Sequence, residues 1–206
     1  MYLRRFILGA AAAAPMLFAM AGAARADVVS PDDAKAFITQ SGKQLVDIVN
    51  NSSGSQKGLA LRQLVNQIVA VDQVGDYVLG RYINVATPQQ HQDFQTLFHQ
   101  LLSYNITYQI NAYQGLSFTV NGATPQGNDM VVDTTITAPG KAPADVGWAV
   151  DNIGGQPKIT DVIVAGTSLR ITTRNDYASV ITDNGGQVSA LLAAMQKQIS
   201  KLSATQ

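Results

Sequence analysis

Leu116-Ser117-Phe118-Thr119-Val120-Asn121 is where the chain changes its period. Leu116, Phe118 and Val120 alternate with polar Ser117, Thr119 and Asn121, the two-residue repeat of a strand that buries one face and wets the other. Downstream the alternation returns at Met130 to Thr137 and at Asp145 to Asp151, where Val146, Trp148 and Val150 share a face. Lys158 to Val164 reads as a fourth strand. The connections Asn121 to Asn128, Ala138 to Pro143 and Asn152 to Pro157 are rich in Gly, Pro and Asn, as hairpin loops are. Four strands joined this way make an antiparallel meander. A sheet with one apolar face needs a cover, and the flanking segments are helical, so the expected class is α+β.

Upstream, Ser30-Pro31-Asp32-Asp33 supplies a capping hydroxyl, a proline for the first helical position and acidic residues for the first turn. The helix it opens carries Phe37, Ile38, Leu45, Ile48 and Val49 at helical spacing and runs to about Asn50. A second helix follows from about Ser55 to Val69, and Asp72 to Leu79 reads as a short third. Thr87-Pro88-Gln89-Gln90 is a capping box leading into Phe94, Leu97, Phe98, Leu101 and Leu102, a broad apolar stripe fit for either core or cavity wall. After the strands, Thr173 is read as the cap of a helix through Tyr177, Val180 and Ile181. The Gly185-Gly186 break and a last helix from Val188 to Leu202 complete the chain.

The first 26 residues differ in composition from the rest. Arg4 and Arg5, an apolar run from Phe6 to Ala24, and Ala24-Arg25-Ala26 ahead of Asp27 have the layout of a cleaved secretory signal, which places the expected mature chain, 27–206, in the periplasm as one domain. Either the general or the twin-arginine route fits Arg4-Arg5-Phe6-Ile7-Leu8. Cleavage leaves eleven basic residues against fourteen acidic ones, all Asp, a balance that offers no general attraction to nucleic acid or anionic membranes. The chain has no cysteine, which removes disulfides, thiolate nucleophiles and thiolate metal ligands.

Motifs that carry chemistry are few. Gly166-Thr167-Ser168-Leu169-Arg170 begins like a nucleophile elbow and lacks its second glycine. His91 and His99 sit on one helix, roughly 12 Å apart along its axis, too far to share a metal. Asp72 and Asp76, four apart, read as a solvated polar face rather than an acid–base pair. No metal, cofactor or catalytic residue is expected. Large apolar and amphipathic side chains are plentiful instead, among them Tyr77, Tyr82, Tyr104, Tyr108 and Trp148. An apolar gap between sheet and helices would suit an acyl chain, since each buried methylene is worth about 0.8 kcal/mol.

Val78-Leu79-Gly80-Arg81-Tyr82, Ala86-Thr87-Pro88-Gln89-Gln90 and Phe94 with Leu97-Phe98 resemble the central helical segment of the MlaC, or toluene-tolerance, family. Trp148, Asp161-Val162-Ile163, Gly166-Thr167-Ser168-Leu169 and Thr173-Arg174-Asn175-Asp176-Tyr177 resemble the family's C-terminal signature, in matching order from about Val28 to Gln198. Ile83 stands where many relatives carry tryptophan. The resemblance implies a curved four-stranded antiparallel sheet and several helices enclosing an apolar lipid pocket. It also implies a carrier that exchanges phospholipid between an outer-membrane lipoprotein complex and an inner-membrane ABC transporter with an MCE-domain ring. On that footing the expected tail contacts are Val74, Val78, Leu79, Tyr82, Phe94, Phe98, Leu101, Tyr104 and Tyr108 from the helices before the sheet. Phe118, Val132, Trp148, Val150 and Ile163 are expected from the sheet, and Leu169, Tyr177 and Ile181 from the following helix. Arg81, Arg170 and Arg174 are the headgroup candidates, because guanidinium forks match phosphate oxygens. The alternatives are a hopanoid-type cargo, a small-molecule enzyme on a similar cone-shaped scaffold, and a periplasmic adaptor that binds protein partners through an apolar surface.

Overall fold

The computed structural model describes residues 28–110 and 115–204; the expected signal, 1–26, lies outside the described residues. Helices α1 (Pro31–Asn51), α2 (Gly54–Ile68) and α3 (Val71–Leu79) are followed by a 3₁₀ turn, Gly80–Asn84, and by α4 (Pro88–Ile110). Strands β1 (Ser117–Gln126), β2 (Asp129–Thr137), β3 (Ala144–Ile153), β4 (Gln156–Val164) and β5 (Thr167–Ser168) precede α5 (Leu169–Asp183) and α6 (Val188–Ser203). The caps read from sequence form as expected at two helices. Ser30 accepts from the Asp33 N–H at 3.1 Å, and Thr87 and Gln90 exchange reciprocal bonds of 2.9 and 3.1 Å.

The strands pair antiparallel in simple order, β1-β2-β3-β4-β5, so the class is α+β as expected and the sheet has five strands rather than four. The fifth is two residues long, too short to leave an alternating pattern in the sequence. β1 also runs further than its alternation, through a register shift between Val120 and Gly122 to Gln126. Ala123, Val132, Trp148 and Val162 lie opposite one another across four strands and mark the inner face. The Trp148 indole is fixed by donation to Thr134 Oγ1 at 2.8 Å, and Thr134 donates in turn to the Val146 carbonyl at 3.0 Å.

α5 starts at Leu169, four residues before the expected Thr173 cap. Ser168 is the cap: its Oγ accepts from the Ile171 N–H at 3.0 Å and donates to Asp161 Oδ2 at 2.5 Å. Asp161 is buried and also accepts from the N–H groups of Val162 and Arg170, so one carboxylate fixes where β4, β5 and α5 meet.

Two apolar clusters result. One is helical: Val78, Leu79, Phe94, Leu101, Ile181, Leu191 and Met195 lie at its centre. Phe94 stacks on Phe98 at 5.8 Å and meets Tyr177 edge-on at 6.1 Å. The other joins the start of α1 to the sheet through Ala34, Ile38, Met130, Val132, Val150 and Ile159. Val69, between α2 and α3, touches both, and the Ala70 N–H ties that junction to the Ile159 carbonyl at 2.9 Å. Among the described residues no helix is long and apolar enough to cross a membrane.

Candidate binding groove

The start of α1 packs on the inner sheet face through Ala34 and Ile38. Farther along, Thr39, Lys43, Val46, Asp47, Asn50 and Asn51 face Ser117, Phe118 and Val120 of β1 across an open groove of about 550 Å³. That volume lies within the range of small-molecule sites, ~300–1,000 Å³. Val46, Phe118 and Val120 form its apolar part, and Val120 also packs against the sheet cluster, so the groove is continuous with that core. Asn50, one of the lining residues, accepts from the Gly115 N–H at 3.1 Å through its Oδ1.

Phe118 owes its position to a missing side chain. A Cβ built on Gly42, in the middle of α1, would lie 2.2 to 2.7 Å from three atoms of the Phe118 ring. Glycine inside a helix costs about 1 kcal/mol relative to alanine, and here it makes a notch into which the aromatic ring seats. Phe118 is half-buried and belongs to neither apolar cluster.

Of the expected tail contacts, Phe118 lines this groove. Val74, Val78, Leu79, Tyr82, Phe94, Phe98, Leu101, Tyr177 and Ile181 are brought together in the helical cluster, where they face other helices rather than the sheet. Val132, Trp148 and Val150 belong to the sheet cluster, beneath α1. Tyr104 and Ile163 are half-buried outside both, while Tyr108 and Leu169 are exposed at 62% and 46%. The groove's α1 wall was missed because Thr39, Lys43, Asp47 and Asn50 read as an ordinary wet helix face. The one available signal was Gly42, a helix breaker in a helical pattern.

The arginines are occupied locally. Arg170 lies 4.4 Å above the Tyr77 ring, 3.5 Å from Asp129 and 3.9 Å from Asp161. Arg174 lies 5.0 Å from the same ring and packs against Gly80, whose φ of 56° and lack of Cβ both suit that approach. Arg81 donates to the Tyr82 hydroxyl at 2.9 Å. None of the three borders the groove. Asp72, Asp76 and the histidines form a ladder between α3 and α4, with His91 2.7 Å from Asp76 and His99 2.8 Å from Asp72. Gln95 adds a bond to Asp76 at 2.6 Å, so the carboxylates read as a solvated face lock two helices together. No group of three metal-ligating side chains occurs among the described residues. The Tyr177 phenol is pushed up to about 12 by burial, with the Asp176 carboxylate adding to the effect.

Fold and site together define an α+β domain with an apolar-floored groove between α1 and β1. The model of the MlaC protein family matches residues 39–197, and the chain belongs to that family. It is 26% identical over 144 residues to toluene tolerance protein ttg2D of Pseudomonas putida, a match covering 69% of this chain and 67% of that one. A phospholipid-binding protein from Ralstonia solanacearum, solved in complex with a phospholipid, has the same fold. It superposes with a TM-score of 0.71 at 23% identity, over 82% of this chain and 98% of the other.

Proposed function

We propose that this protein is a periplasmic lipid carrier that buries phospholipid tails and shuttles the lipid between an outer-membrane complex and an inner-membrane MCE/ABC transporter, maintaining outer-membrane lipid asymmetry. The observation that carries the reading is the groove: an apolar floor beside α1, open to solvent and continuous with the sheet core. An acyl chain laid there leaves water at about 0.8 kcal/mol per methylene while its polar head stays at the mouth. The sequence of the first 26 residues supports export, and membership of the MlaC family together with the two named relatives supports phospholipid as cargo. The lipid is the load rather than a cofactor, and the task requires no bond to be made or broken.

The test is organic extraction and mass spectrometry of protein purified from periplasm without detergent. Stoichiometric phospholipid is expected, and a hopanoid in its place would redefine the cargo. Protein that emerges empty and takes up no lipid from vesicles would overturn the carrier reading.

A further inference from the structure

Lys43 and Asp47 both line the groove, one helical turn apart on α1. Side chains at that spacing are neighbours, with Cβ atoms ~5–6 Å apart, and commonly pair. Here no ion pair joins them, and Lys43 has no ion-pair partner among the described residues. Asp47 takes one bond, from Asn51 Nδ2 to its Oδ1 at 2.6 Å, which holds the carboxylate in place and leaves Oδ2 without a bond among the described residues. Both side chains are exposed, so neither has to be stripped of water before meeting a ligand.

A groove mouth with one cation and one anion a turn apart discriminates by charge pattern rather than by net charge. We propose that it prefers a zwitterionic phospholipid headgroup, with Lys43 taking the phosphate and Asp47 the ammonium; the inference rests on the carrier reading above. The two charges of a phosphoethanolamine head are separated by a two-carbon spacer, on the scale of the ~5.4 Å helical turn. An anionic head with no ammonium gains at Lys43 and is repelled at Asp47. A zwitterion gains at both. Exposed pairs are weak, so the expected result is a preference of about two- to fivefold rather than exclusion.

The experiment incubates delipidated full-length mature protein with vesicles holding equal amounts of phosphatidylethanolamine and phosphatidylglycerol with identical tails, then extracts the re-isolated protein. Wild type is expected to carry an excess of phosphatidylethanolamine. Asp47→Asn brings the ratio toward one by admitting phosphatidylglycerol, whereas Lys43→Gln lowers total uptake and raises the ratio, opposite shifts that a general loss of folding would not produce. Equal uptake by wild type, or a ratio indifferent to Asp47→Asn, overturns the headgroup preference and leaves the carrier reading standing. A wild-type protein that takes up neither lipid removes both.

Discussion

The helical cluster and the sheet cluster are built from similar residues and end differently. In the first, α3, α4, α5 and α6 close on one another, and Phe94, Val78 and Ile181 are almost wholly buried at 0%, 1% and 0% exposure. In the second, α1 seals the sheet at Ala34 and Ile38 and then leaves Phe118 and Val120 beside an open groove. Helices present stripes that interlock on several sides, whereas one straight helix crossing a twisted sheet covers only part of it. Burial is therefore most complete in the helical cluster, and the sheet keeps an open flank beside α1.

The largest test of that contrast is Phe94→Ala. Removing a fully buried ring that stacks on Phe98 and abuts Tyr177 should cost about 3–5 kcal/mol in denaturant unfolding. The lipid headgroup ratio of the surviving folded protein should not change. An altered ratio would mean that the two clusters are not separate functional parts.

Next comes alkaline stability. Because folding raises the Tyr177 phenol from 10.0 to about 12, its contribution is fully present below pH 10 and is lost as pH rises through 12. The difference amounts to roughly 2–3 kcal/mol. Tyr177→Phe cannot ionise, so the stability gap between wild type and variant should shift in favour of the variant across that window. A gap independent of pH would show that the phenol is not held neutral by the helical core.

The smallest effect on stability is expected in the groove. Gly42→Ala puts a methyl where the Phe118 ring sits and should cost about 1–3 kcal/mol of overpacking, lessened by the gain in helix propensity and by the room the ring has to swing into. Lipid uptake should change by more than stability does, and combining it with Phe118→Ala should relieve the clash. If melting temperature and lipid content fall together in the single variant and do not recover in the double, the ring is part of the core and not a movable wall.

Much of the fold is legible in the sequence. The switch of period at Leu116, the cap at Ser30, the capping box at Thr87, and the loops between strands are local signals, and the elements form there because each is decided by neighbours within a few residues. The start of α5 was not legible. Ser168 and Thr173 are comparable caps, and the choice falls to Ser168 because Asp161, seven residues earlier on β4, binds both its hydroxyl and the Arg170 N–H. The surroundings of Arg170 and Arg174 were not legible for a related reason. Their charge was readable, but the Tyr77 ring beside both, and the Asp129 and Asp161 carboxylates beside Arg170, come from other elements.

By itself the sequence determined which side of each element is apolar, where most helices and strands begin, and the family to which their order belongs. It could not determine which apolar faces meet. Phe94, Phe98 and Leu101 were equally suited to a sheet or to other helices, and they went to helices. Thr39, Lys43 and Asp47 became a wall only because β1 brought Phe118 opposite them from more than seventy residues away in the chain. Periodicity is a property of one segment and its solvent, whereas a groove is a property of two segments and the gap between them, fixed when the chain closes on itself.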